Sequence, residues 1–155
     1  MKHPKIEIPS FRCFNLATKE VIYCFKGVAP NTAFICTAES WGFFPVSSNG
    51  IEVNTCLGCP QDSLLSQGSG FGDVNGVEIY QYDIVRDLTS EFSVGKEKVF
   101  LCGEVYIKDG IFRESYFNQP LHIYKNIEVI GNRLETPDLL EHCPPVPKGY
   151  CEYEG

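Results

Sequence analysis

Lys98-Val99-Phe100-Leu101-Cys102-Gly103-Glu104-Val105-Tyr106-Ile107-Lys108-Asp109-Gly110-Ile111-Phe112 is the stretch that decides the fold class. Val99, Leu101, Val105 and Ile107 recur at a period of two, so they fall on one face of an extended chain. Asp109-Gly110 follows, a pair that accepts the positive φ values demanded at the centre of a tight hairpin turn. The stretch therefore predicts a strand, a short turn and a returning strand that begins at Ile111-Phe112.

Outward from this hairpin, the same pattern recurs. Downstream, Leu121, Ile123, Ile127 and Val129 alternate with His122, Tyr124, Asn126 and Glu128, which predicts a strand over residues 121–130 that ends at Gly131-Asn132. Upstream, residues 77–85 predict a strand with apolar side chains on both faces, entered through the turn pair Asn75-Gly76. Residues 41–46 form another apolar run, closed by Ser47-Ser48-Asn49-Gly50. Before it, Val21, Tyr23 and Phe25 alternate with Glu20, Ile22 and Cys24 in a hairpin-like opening that Pro30-Asn31 interrupts. Residues 56–76 break the pattern. Gly58, Gly68, Gly70, Gly72, Gly76 and Pro60, with little periodicity between them, predict a long loop with one helical turn at 62–66.

One helical signal comes late. Thr136 is a candidate cap, Pro137 suits the first helical position and Asp138 suits the positive end of a helix dipole, which predicts a short helix over residues 137–142. Pro144, Pro145 and Pro147 predict an extended, loosely held tail. The expected organisation is an N-terminal segment (1–10), a single β domain (11–142) and a Pro-rich C-terminal tail (143–155), without internal repeats.

Composition narrows the partners. The 155 residues hold 11 Phe and 8 Tyr against one Met, a bias toward strands. A net charge of −7, with the 13 Lys and Arg scattered among acidic neighbours, argues against duplex nucleic acid, which needs clustered cations. Eight cysteines could suggest a disulfide framework, but MKHPKIEIPS lacks the apolar core of a secretory signal, so reduced thiols and a cytoplasmic setting are expected. Cys36 and Cys102 sit in apolar strand-like runs, where a thiol behaves as a small hydrophobe. No apolar run approaches the roughly 20 residues that span a bilayer, so no membrane partner is expected.

Cys56-Leu57-Gly58-Cys59 is the sharpest chemical feature, because that spacing can present two thiolates to zinc or form a redox pair. Zinc would need about two more ligands. His142, Cys143 and Cys151 could supply them from the tail, but their spacing is not that of a second knuckle; the competing reading is a turn with two incidental thiols. Gly68, Gly70 and Gly72 could cradle a phosphate on backbone amides, yet the segment lacks the Lys-Ser/Thr pair of a P-loop, which favours a plain loop. Cys59 or Cys143 can be paired on paper with a histidine (His3, His122 or His142) as a nucleophilic couple, with no spacing to recommend it. Asp73, Asp83, Asp87 and Glu104 could do acid–base work, but turn caps and solvated strand edges explain them more simply. No catalytic, cofactor-binding or metal-ligating residue is assigned, and no cofactor is expected.

Gln67-Gly68-Ser69-Gly70-Phe71-Gly72-Asp73-Val74-Asn75-Gly76-Val77-Glu78-Ile79-Tyr80-Gln81-Tyr82-Asp83-Ile84-Val85 resembles the hallmark segment of the YopX family of phage and prophage proteins, approximately Q-x-T-G-x-x-D-x-N-G-x-E-I-Y-E-G-D-I-V. Phe11-Arg12-Cys13-Phe14-Asn15 is similar to that family's opening F-R-x-W-D. Gly103-Glu104-Val105, with Asp109-Gly110-Ile111-Phe112, is similar to its G-x-V hairpin. Ile127-Glu128-Val129-Ile130-Gly131-Asn132 and Thr136-Pro137-Asp138-Leu139-Leu140 are similar to its closing E-V-I-G-N and N-P-E-L-L. Phe14, Asn15 and Ser69 depart from Trp, Asp and Thr, and Tyr82 stands where the family has Gly, a change that matters most if that Gly permits a tight bend. The Cys56-x-x-Cys59 insert and the tail are not part of the pattern.

The resemblance implies a mainly β fold, with a small SH3-like barrel, added hairpins and a short C-terminal helix, from a mobile-element genome; it implies no activity. The expectation is a non-enzymatic phage or prophage accessory protein in the cytoplasm of a bacterial host. It would act by binding a host or phage protein and by self-association into a homo-oligomer through exposed strand edges. Two alternatives stand beside it. One is capture of a nucleotide-type small molecule at a subunit interface with residues 68–76 as lid, and the other is a zinc protein using Cys56 and Cys59.

Overall fold

A computed structural model of the chain describes residues 10–24 and 31–150. The described chain is mainly β, with antiparallel sheets throughout. Its contacts divide it into two compact units, residues 1–70 and 71–155.

The first unit is built on β1 (Phe11–Asn15), which pairs antiparallel with β2 (Val21–Cys24) on one side and β6 (Ser63–Gly72) on the other. As the central strand β1 is buried on both faces. Cys13 and Phe14 are inaccessible, and Arg12 is buried too, its Nε donating to Ser66 Oγ at 3.1 Å and its guanidinium 4.6 Å from the Phe14 ring centre. Arg12 is thus a core residue whose polar head is met by hydrogen bonding and an aromatic face. A second sheet follows the order β3 (Thr32–Cys36), β4 (Trp41–Ser47), β5 (Gly50–Ile51). Its aromatics stack onto the core: Phe34 lies 4.6 Å from Phe11 and 5.1 Å from Phe43, ring centre to ring centre. The turn signal at residues 47–50 is realised, with Ser47 opposite Gly50 at φ 105°.

The long loop expected over residues 56–76 is corrected. Its second half is β6, ten residues long, and the helical turn expected at 62–66 lies in and just before that strand. The reason is burial. Ser63, Leu64, Ser66 and Gly68 turn inward and residues 63–67 pair one for one with β1, so Ser and Gly occupy the buried positions where a hydrophobic period would otherwise have shown.

The second unit follows the order β10 (Ile111–Glu114), β9 (Glu97–Lys108), β8 (Asp83–Val94), β11 (Ile127–Asn132), preceded by the short β7 (Glu78–Tyr80). The β9–β10 hairpin is as predicted. Ile111 faces Lys108, and Asp109 and Gly110 lie at φ 53° and 74°, the pair of left-handed residues that matches strand twist. Its core gathers Ile79, Val85, Val105, Leu121 and Ile127. Two expectations are corrected. The strand over 77–85 is split by a turn at Gln81-Tyr82, and the start of the strand over 121–130 is a 3-10 turn, Leu121–Ile123, with β11 beginning only at Ile127. Leu121 is buried whereas Ile123 is half exposed, so the apparent alternation there did not describe one face.

The C-terminal segment Pro137–His142 is 3-10 helical. Thr136 does not cap it. Its hydroxyl instead accepts from Asn132 N at 2.9 Å and donates to Asn132 O at 3.0 Å. That places Thr136 against Gly131, where a Cβ would collide with Thr136 and approach Leu139 Cδ1 to 3.0 Å.

Candidate functional site

The carboxylates of the hallmark-like segment are committed to the backbone. Asp73 Oδ1 accepts from Asn75 N at 2.8 Å and Val77 N at 2.9 Å, and its Oδ2 accepts from Val129 N on β11 at 3.1 Å. Asp73 N donates to Val77 O, Val74 N to Ile127 O and Gly76 N to Asp73 O. All five amides of residues 73–77 are engaged within the protein, which leaves none of them to cradle an anion. Asp83, also buried, accepts from Tyr80 N at 2.8 Å and closes the next turn.

Within that turn Tyr82 stands at φ 72°, the left-handed conformation that the family's glycine would adopt without cost. The conformation is held from both sides: Tyr82 N donates to Val105 O at 2.9 Å, and Tyr82 O accepts from Arg133 N at 3.0 Å. The ring is almost wholly buried. Arg133 also forms a bidentate pair with the buried Glu104, Nε to Oε2 at 2.6 Å and Nη2 to Oε1 at 2.7 Å. The fork geometry and burial make this pair a structural tie between β9 and the end of β11.

Sequence reasoning missed one buried carboxylate. Glu114, fully inaccessible, accepts from Tyr116 N, Phe117 N and Gln119 N and from the Tyr124 hydroxyl at 2.7 Å. Burial, the neighbouring phenol and the nearby carboxylates push the Tyr116 hydroxyl far up from its ordinary value, and burial does the same for Tyr124. Both phenols stay protonated donors, with Tyr116 reaching Asp87 Oδ2 at 3.4 Å. In the sequence Glu114 looks like any acidic residue entering a loop, and no local signal marks it.

The thiols are rearranged relative to expectation. Cys56 is exposed, and Cys59 Sγ lies 3.5 Å from Asp62 Oδ1. Leu57 N and Phe43 N exchange hydrogen bonds with Phe43 O and Gly58 O, so the Cys-x-x-Cys segment is tied to β4. Gly58 is required there, since a Cβ would lie 2.5 Å from Cys13 Sγ. Burial drives the Cys13 thiol up to about 11. Among the described residues no group of three His, Cys, Asp or Glu side chains is placed to hold a metal ion. Of the proposed tail ligands, Cys143 pairs with Cys102 at 3.4 Å, and Cys151, like His3, lies outside the described residues. His122 is exposed in the 3-10 turn.

The tail was expected to be loosely held, but its described part is docked. Ser115 Oγ donates to Pro144 O at 2.7 Å, and the Tyr150 ring lies 5.9 Å from that of Tyr106 and 5.5 Å from Lys108 Nζ. Cys102, Tyr106 and Lys108 alternate along β9, so the segment from 143 to 150 follows one face of that strand.

The far end of the β8–β9 hairpin is uncovered. Residues 91–98 are all exposed, turning through Gly95 at φ 65°. Phe92 pairs with Val99 and Val94 with Glu97, which puts Phe92, Val94 and Val99 on one face, with Glu97 as the charged member of that face beside the turn. The other face carries Ser93 and the Glu91–Lys98 ion pair. Phe92 is 45% and Val94 61% exposed. This arm is an amphipathic ribbon whose apolar side meets solvent.

In comparisons with known proteins, the YopX protein family matches residues 10–141. A crystal structure of protein EF1440 from Enterococcus faecalis is similar at 22% identity and a TM-score of 0.55, over 86% of this chain and 98% of that one, a likeness of fold. No curated protein matches. No helix among the described residues is long and apolar enough to cross a membrane.

Proposed function

We propose, from the premise that this chain belongs to the YopX protein family, that it is a non-enzymatic phage or prophage accessory protein acting by protein–protein binding and self-association in the cytoplasm of a bacterial host. The observation that carries this reading is the β8–β9 arm. A two-stranded ribbon is marginal by itself in water, and one that keeps Phe92 and Val94 exposed gains stability by covering them. The commitment of Asp73, Asp83, Glu104 and Glu114 to structural bonds supports a scaffold rather than a catalytic centre. The SH3-like barrel that the family resemblance implies belongs to this proposal, as an arrangement finer than the strand pairing described above.

Native mass spectrometry of the purified chain tests it. The expected spectrum is a multimer without adducts. A monomer at every concentration would remove self-association, and a retained zinc or nucleotide mass would move the assignment to Cys56 and Cys59 or to small-molecule capture.

A further inference from the structure

The Cys102–Cys143 pair belongs to no function so far described. Cys102 sits in β9 and Cys143 directly follows the 3-10 segment, 41 positions later, yet their sulfur atoms are 3.4 Å apart. Both side chains are half-buried. Each has a second contact that fixes its position: Cys102 Sγ lies 3.3 Å from His142 O, and Cys143 Sγ 3.4 Å from Leu139 O. The docking of Pro144 on Ser115 and of Tyr150 on Tyr106 holds the tail on the same strand face.

We propose that Cys102 and Cys143 form a peroxide-reactive dithiol whose oxidation to a disulfide locks the C-terminal segment onto β9. The contact needs only a closure from 3.4 Å to a bond length of about 2.05 Å. The two thiols have distinct roles. The hydrogen bond from Cys143 brings Cys102 down to about 7, which favours Cys102 as the thiol that ionises first, while Cys143, as the donor, is held well above its ordinary value.

The oxidant is a hydroperoxide. Cys102 thiolate attacks one peroxide oxygen, the O–O bond breaks, and the departing hydroxide takes the proton that Cys102 released and leaves as water. Cys102 is then a sulfenic acid. Cys143 sulfur attacks Cys102 sulfur, the S–S bond forms, the S–O bond breaks, and the hydroxyl leaves as a second water with the Cys143 proton. Two thiols lose two electrons, and hydrogen peroxide is reduced to two waters.

Treatment of the full chain with hydrogen peroxide, followed by intact mass and a non-reducing peptide map, tests this directly. The expected result is loss of two hydrogens in a product whose digest links the Cys102 peptide to the Cys143 peptide. Hydrogen exchange in residues 144–150 should slow in that product. In Cys143→Ser the reaction should stop at a Cys102 sulfenic acid that dimedone traps, whereas Cys102→Ser should give no trapped adduct at Cys143. The proposal is overturned if the wild-type map shows Cys102 still reduced while exposed Cys36 or Cys56 is oxidised. It is also overturned if Cys102 pairs only with another cysteine. The map needs no variant, so it stands even if a substitution impairs folding.

Discussion

Tyr82 shows how much a single position can be asked to do. A non-glycine residue at φ 72° carries a strain of roughly 1–2 kcal/mol, and here a bulky aromatic bears it. Burial outweighs the strain, because removing a buried aromatic ring costs about 3–5 kcal/mol. Tyr82→Gly should therefore destabilise the protein even though glycine suits the backbone. Tyr82→Ala loses the ring and keeps the strain, so urea denaturation should find it about 1 kcal/mol less stable than Tyr82→Gly. Equal stability of the two variants would show that the left-handed turn is not the constraint. A second test at this scale is Arg133→Ala, which strands the buried Glu104 carboxylate and should cost about 3–5 kcal/mol. Thiol reactivity offers a third. Alkylation of Cys102 should rise as pH climbs through about 7, the pH at which its thiolate forms, whereas Cys13, pushed up to about 11 by burial, should stay unreactive through neutral pH.

Among the elements, the β9–β10 hairpin was legible because its signals are local: a period of two and an Asp109-Gly110 pair whose φ values the turn requires. β6 was not. Ser63, Ser66 and Gly68 fill its buried positions, and only pairing with a distant β1 makes them core residues. Residues 121–123 failed in the opposite sense, since their alternation was present but Ile123 faces solvent. The candidate site divides along the same line. Asp73, Asp83 and Glu104 could be singled out from the sequence, and the bland reading of the first two as turn-makers is how they are used. Glu104 is neither at a solvated edge nor in a turn; Arg133, 29 positions away, gives it a buried partner. Glu114 and the Cys102–Cys143 contact join residues far from each other or without local marks, so neither had a signal to read. The β8–β9 arm also belongs to this scale. Replacing Phe92 and Val94 by Ser should leave the folding stability of the dissociated chain, read by urea denaturation at low protein concentration, within about 0.5 kcal/mol, because positions exposed in the single chain contribute little to it.

At the scale of the whole molecule, charge and apolar surface oppose each other. The chain carries a net −7, so copies repel, while the arm presents apolar side chains that association would cover. Salt screens the repulsion and leaves apolar burial intact, so self-association should strengthen as ionic strength rises. Assembly that weakens with salt would point to charge pairing instead of the apolar face.

Sedimentation velocity of the wild-type chain beside the Phe92→Ser/Val94→Ser variant, across a range of concentrations, tests the central claim most directly. The wild type is predicted to sediment as an assembly and the variant as a folded monomer. A monomeric wild type, or a variant that assembles as well as the wild type, would contradict self-association through the β8–β9 arm.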